Sequence, residues 1–156
     1  MTKFVYKMED ILEIKIQLED QAKTEYANAR RLLFIEEDKL KKLFLEHDVF
    51  QEKLTDLISS KIELLEIQKC KDAIELYKEY IEQQKKKLAI AEHNEEIARL
   101  NLQEAMIERK TYDKLKEKAR EEYMYEYESW QQKEIDEITS YRYGILAQNK
   151  EDINAG

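Results

Sequence analysis

From Ile67 to Tyr123 the chain repeats a pattern in alternating steps of three and four: Ile67, Cys70, Ile74, Tyr77, Ile81, Gln84, Leu88, Ala91, Glu95, Ala98, Leu102, Ala105, Arg109, Tyr112, Lys116, Ala119 and Tyr123. Only Gln84, Glu95, Arg109 and Lys116 interrupt its apolar character. A 3.5-residue apolar period held over about eight heptads is the seam of a left-handed coiled coil. The intervening positions are mostly Lys, Glu, Gln and Asn, so one stripe is dry and the rest is wet. A helix of this kind needs a second helix against its stripe.

The N-terminal segment supplies one. Val5, Leu12, Glu19, Tyr26, Leu33, Leu40, His47 and Leu54 form one row, and Met8, Lys15, Ala22, Ala29, Glu36, Leu43, Phe50 and Leu57 form the other. Most are apolar, and the pattern predicts a first helix over about 5–58, its stripe widened by Ile11, Leu18 and Leu32. Continuing this phase selects Lys61, Leu64, Gln68, Lys71 and Glu75, which are mostly polar. The second seam lies one residue earlier, a rotation of about 100° on a helix, so one straight helix cannot use both. At the break, Ser60 and Glu63 have capping-box spacing, in which the hydroxyl and the carboxylate each take a backbone N–H. The reading is an all-α antiparallel coiled-coil hairpin forming a single domain. Its turn falls at about 58–61 and its second helix at about 61–143, and a frayed tail follows over 144–156 because Arg142-Tyr143-Gly144 reads as a helix end.

Composition agrees with long helices. There is no Pro, two Gly and 40% charged residues, and the residues that end helices are almost absent before Gly144. The expectation is an elongated molecule without a bulky core. A net charge of −8 argues against nucleic acid, and the Lys85-Lys86-Lys87 run reads as a solvated helix face. The single Cys70 falls on the seam as a small buried residue, which fits a reducing cytosol. No secretory leader and no stretch of membrane-spanning length is visible, so a cytoplasmic protein with at most peripheral membrane association is expected. His47 and His93 lie far apart, no Glu-x-x-His motif occurs, and there is no Gly-rich phosphate loop or nucleophile elbow. No catalytic, cofactor-binding or metal-ligating residue is assigned, and the chain is not expected to be an enzyme.

Pairing about a turn near residue 60 sets Met8 opposite Thr111 or Tyr112. The last part of the second helix then has no partner, yet it carries Tyr123, Tyr127, Trp130, Ile138 and Tyr141 at helical spacing. Either this is a protein-binding surface anchored by aromatics, or the pairing is extended by kinks. Leu76 and Tyr80 widen the stripe around Tyr77 and Ile81, as a docking patch or as a thickened core.

Both ends of the chain resemble the FliJ family of the bacterial flagellar type III export apparatus. The N-terminal likeness is Phe4-x-Tyr6-x-Met8-x-x-Ile11-Leu12-x-Ile14-Lys15, followed by Gln21-Ala22-Lys23-x-Glu25-Tyr26. The C-terminal likeness is Glu108-Arg109-Lys110-x-Tyr112-x-Lys114-Leu115-Lys116-Glu117-Lys118, continuing into Lys133-Glu134-Ile135-Asp136-Glu137-Ile138. The middle, about 61–88, matches only as generic helix.

The resemblance implies a coiled coil similar to the gamma stalk of rotary ATPases, inserted in the ring of the hexameric export ATPase. It also implies contact with the cytoplasmic domain of the export gate protein and with export chaperones, at the inner face of the cell membrane. By that analogy the ATPase-contact candidates are Phe4, Tyr6, Met8, Leu12, Tyr112, Leu115, Tyr123, Tyr127, Trp130 and Ile138. The export-gate candidates are Ala73, Leu76, Tyr77, Tyr80 and Gln84. The alternative readings are a homodimeric coiled-coil scaffold and a stalk subunit of another secretion or rotary ATPase.

Overall fold

The computed structural model describes residues 2–60 and 63–155. It consists of two helices, α1 over Glu9–Ser60 and α2 over Leu64–Ala155, with no strand among the described residues. The helices pack against each other as a coiled-coil hairpin, and α2 is the longer, at 92 residues against 52.

Contacts group the chain into two units. One comprises Gln17–Ile107; the other comprises Met1–Ile16 with Glu108–Gly156. Within the first unit, Gln84 bonds the Glu36 carbonyl and Phe50 stacks on Tyr77, so α2 runs antiparallel to α1. Within the second, Lys15 pairs with Glu108, Glu9 with Lys116, and Thr2 with Tyr123, again in descending order.

The seams hold residue by residue. Every position of the α2 seam from Ile67 to Tyr123 is buried or half-buried, including Gln84, Glu95, Arg109 and Lys116. On α1 the same is true from Leu12 to Leu57. Leu12, at 2% exposure, is the most deeply buried side chain of the pair. Val5 and Met8 depart from their seam assignment and are exposed, because α1 begins only at Glu9. Met8 provides the carbonyl for the first helical bond, from Leu12 N–H at 2.9 Å. Glu9 and Asp10 then place negative charge at the positive end of the helix dipole, where Lys3 and Lys7 would be disfavoured. Residues 2–8 therefore continue along α2 in non-helical form, with Phe4 and Tyr6 half-buried and Val5 between them exposed.

Of the reversal expected at 58–61, residues 58–60 belong to α1 and residue 61 lies outside the described residues. Ser60 does not cap α2: its hydroxyl donates back to the Asp56 carbonyl at 2.8 Å, and Ser59 does the same to Thr55. Glu63 takes the capping position instead, its carbonyl accepting from Ile67 N–H at 3.1 Å. Glu9 pairs with Lys116 and Met8 lines a groove with Leu115 and Ala119, so Met8 stands about one helical turn beyond the residue 111 or 112 that the sequence sets opposite it. At the far end α2 passes through Gly144 to Ala155, where the sequence reading ends it near 143. Gly144 does not adopt positive φ, so it forms no left-handed cap and costs about 1 kcal/mol as an ordinary helical residue.

His47 sits in the seam with Nε2 buried and unpartnered among the described residues, while Nδ1 lies 3.7 Å from the Asp48 carboxylate. A leucine there keeps the apolar contact and removes the orphaned nitrogen. His47→Leu is expected to stabilise the hairpin by about 1 kcal/mol, read as a higher denaturant midpoint at unchanged slope; a lower midpoint would contradict this.

Candidate protein-docking surface

Four aromatic rings form a ladder in the unit that contains both termini. Phe4 lies against Tyr123 with centroids 5.5 Å apart, Tyr123 stacks on Tyr127 at 6.3 Å, and Tyr127 meets Trp130 at 6.0 Å. The three rungs on α2 stand four and three residues apart, which puts them on one helical face. The first rung comes from the N-terminal segment, so the ladder begins inside the paired region and runs off its end.

Polar contacts strap that segment to α2. The Tyr123 hydroxyl donates to the Thr2 carbonyl at 2.6 Å, and the Tyr6 hydroxyl to the Tyr112 carbonyl at 3.3 Å. The Lys116 ammonium reaches the Glu9 carboxylate at 2.8 Å, and Lys15 reaches Glu108 at 2.8 Å while lying 5.9 Å above the Tyr112 ring. Between the segment and the helix a groove of about 770 Å³ is lined by Val5, Met8, Leu115, Ala119 and Tyr123, with Glu122 and Glu126 at its edge.

Beyond Tyr127 every described residue is exposed. Trp130 (39%), Ile135, Ile138, Tyr141 and Ile145 stand out along this stretch. An aromatic-rich helix with no covering partner is a surface suited to docking another protein.

The ATPase-contact candidates therefore divide. Leu12 is buried inside the helix pair and positions its neighbours. Phe4, Tyr6, Tyr112, Tyr123 and Tyr127 are half-buried along the strap and ladder. Met8, Leu115, Trp130 and Ile138 are exposed. Tyr125 (75%), Met124 and Leu146 are exposed as well, and so is Tyr143, which the sequence marks only as part of a helix end; none of the four shares the face of Tyr123, Tyr127 and Trp130.

The export-gate candidates lie in the other unit, around Tyr77. Its ring packs on Phe50 at 5.4 Å and edge-on to Tyr80 at 5.8 Å. Leu76 and Tyr80 are exposed, Ala73 is half-buried, and Gln84 is buried with its amide donating to the Glu36 carbonyl at 3.1 Å and to the Glu36 carboxylate. Gln84 thus pins the register from inside rather than facing a partner.

Two groups bind their protons more tightly in the folded chain. The hydrogen bond to Glu108 raises Lys15 above its usual 10.5; the charges of Glu108 and Tyr112 add to this, and burial opposes it. A hydrogen bond to Glu46, then burial and the charges of Glu46 and Tyr80, hold Tyr77 above its usual 10.0. Both folded values exceed the unfolded ones, so the stability these groups contribute is complete below pH 10 and drains as pH climbs through the folded values. The melting temperature is expected to hold up to about pH 10 and to fall above it, and Tyr77→Phe to remove part of that fall. An identical fall in Tyr77→Phe would rule out its share.

No cluster of His, Cys, Asp or Glu among the described residues could hold a metal ion, and no helix is long and apolar enough to cross a membrane.

The model of the family described as Flagellar FliJ protein matches residues 4–145. Among solved structures, the fold is similar to that of a protein from Chlamydia trachomatis described as a YscO homologue, with a TM-score of 0.67 and 23% sequence identity, covering 94% of this chain and 99% of that one. No curated protein matches the chain.

Proposed function

The chain belongs to the FliJ family of flagellar proteins and is therefore a component of the type III export apparatus, and from that premise we propose that it works without catalysis, as a coiled-coil stalk engaging the ring of the hexameric export ATPase. The observation that carries this reading is the aromatic ladder that leaves the paired region and continues onto the exposed end of α2. A stalk inside a ring needs a rigid paired body and a contact face that its own fold leaves uncovered. Strapping by Thr2, Tyr6 and Glu9 stiffens the base of the ladder, and Trp130 with the residues beyond supplies the face. Rigid aromatics with few rotatable bonds lose little entropy on docking, which suits a contact that must form and release repeatedly.

In the same proposal the chain escorts export chaperones and couples the ATPase to the cytoplasmic domain of the export gate. The exposed Leu76 and Tyr80, beside Tyr77, are the surface offered to the gate. The activity takes place at the inner face of the cell membrane, at the flagellar base.

The competing reading is a homodimeric scaffold whose free helix ends bury Ile135, Ile138 and Tyr141 against a second copy. Charge opposes it: residues 117–137 carry eight carboxylates and three basic groups, so two such segments repel on approach.

The test is photocrosslinking with a benzoyl-phenylalanine in place of Trp130, mixed with the purified export ATPase. Crosslinks to the ATPase are expected from position 130 and not from Phe34, an exposed residue of the other unit. Crosslinks from position 130 only to a second copy of the chain would favour the scaffold and sink the stalk.

A further inference from the structure

Read in sequence, Lys85-Lys86-Lys87 is a solvated face. Packing changes its surroundings. Gln84 bonds the Glu36 carbonyl, the Lys85 ammonium sits 5.9 Å above the Phe44 ring, and Leu88 shares a groove with Lys41 and Phe44. Lys39, Lys41 and Lys42 of α1 are thereby brought level with the α2 lysines. Over residues 36–45 and 82–88, six lysines meet four carboxylates, in a chain whose net charge is −8. Lys39, Lys42 and Lys85 are engaged by Glu36, Asp38 and Glu82, whereas Lys41, Lys86 and Lys87 make no ion pair among the described residues.

The groove at this level measures about 330 Å³. Its floor is Leu40, Phe44, Leu45 and Leu88, and Lys41 and Glu37 stand at its rim. Phe44 and Leu45 are 42% and 56% exposed, so the floor of the groove is open to an incoming side chain.

We propose that this groove docks an acidic amphipathic helix of a partner protein. The helix seats its apolar side chains against Phe44, Leu45 and Leu88 and pairs its carboxylates with Lys41 and Lys85. The occupant follows from charge and shape together. An apolar floor with Lys41 at one rim and Lys85 above Phe44 selects a helix with an apolar stripe and an acidic flank on the lysine side, away from Glu37. Lys85 is free to exchange partners, since its present bridge to Glu82 is a 3.5 Å contact between exposed groups. An anionic bilayer fits less well. The local surplus is only two positive charges, and Lys87 lines a separate groove with Glu36 and Ile90 instead of lying beside Lys41. A flat surface cannot reach both grooves at once.

The test uses two synthetic helical peptides of about 21 residues, six turns. They share one Leu/Ile stripe; one carries Glu on its flanks and the other Lys. Binding to the full chain is read by fluorescence anisotropy. The Glu peptide is expected to bind at least about tenfold tighter than the Lys peptide, with the difference shrinking as salt rises from about 0.05 to 0.5 M. Lys41→Glu with Lys85→Glu should reverse the preference, and Phe44→Ser should weaken both peptides. All three side chains are on the surface, and circular dichroism confirms that the helices persist. Equal binding of the two peptides, binding of neither, or an unchanged preference in the double variant overturns the proposal. So does cosedimentation with phosphatidylglycerol vesicles that the double variant loses, since the site would then belong to lipid.

Discussion

If the chain acts as the proposed stalk, the double variant Tyr127→Ala/Trp130→Ala is expected to stimulate the export ATPase at least about tenfold less than the unaltered chain, with its helix content and melting temperature unchanged. Two interface aromatics removed together cost well above the roughly 1.4 kcal/mol that corresponds to a factor of ten in binding. The fold is spared because these rungs lie at or beyond the end of the pairing. The strap at the base of the ladder, Phe4 on Tyr123 and Tyr123 to the Thr2 carbonyl, keeps its contacts. Enzymatic turnover of the ATPase at saturating wild-type or variant protein reads the effect, and light scattering checks that both are monomers. Full stimulation by the variant would refute a ladder contact. Loss of a dimer instead of loss of stimulation would transfer the surface to the scaffold reading.

Ile81→Ala is expected to destabilise the hairpin by about 3 kcal/mol, whereas Ile138→Ala changes stability by less than about 0.5 kcal/mol. The same atoms are deleted in both. Ile81 is 6% exposed on the seam between the two helices, so its loss removes buried area and leaves a gap that the flanking layers fill only in part. Ile138 is 56% exposed on the uncovered stretch of α2 and has nothing to lose but a weak helix-propensity difference. Denaturant unfolding followed by circular dichroism measures both. Similar costs at the two positions would mean that the end of α2 is covered in solution, contrary to the exposed stretch described above.

The helix pair was legible because a seam is a one-dimensional signal. Burial demands an apolar residue every three or four positions, and the chain meets that demand from Leu12 to Leu57 and again from Ile67 to Tyr123. Even the polar members were readable as seam positions: Gln84 and Glu36 occupy the interface together and satisfy each other there. The aromatic spacing of Tyr123, Tyr127 and Trp130 was equally visible, since neighbours four and three apart share a helical face.

Three things were not. Where α1 starts depends on a competition between seam periodicity, which includes Val5 and Met8, and end electrostatics, which favours Glu9 and Asp10; the second won. The hydroxyl of Ser60 could serve either helix, and it bonds backward to Asp56. Gly144 can end a helix or continue one, and with no positive φ it continues.

The sequence by itself thus determined the fold class, the two seams and the family likeness, because each is written along a single helix face. Only the tertiary structure decided the register, the strap of residues 2–8 on α2 and the meeting of Lys39–Lys42 with Lys85–Lys87. Those depend on which residues of one helix come level with which of the other. A shift of one turn, too small to disturb the periodicity of either seam, changes every such pairing.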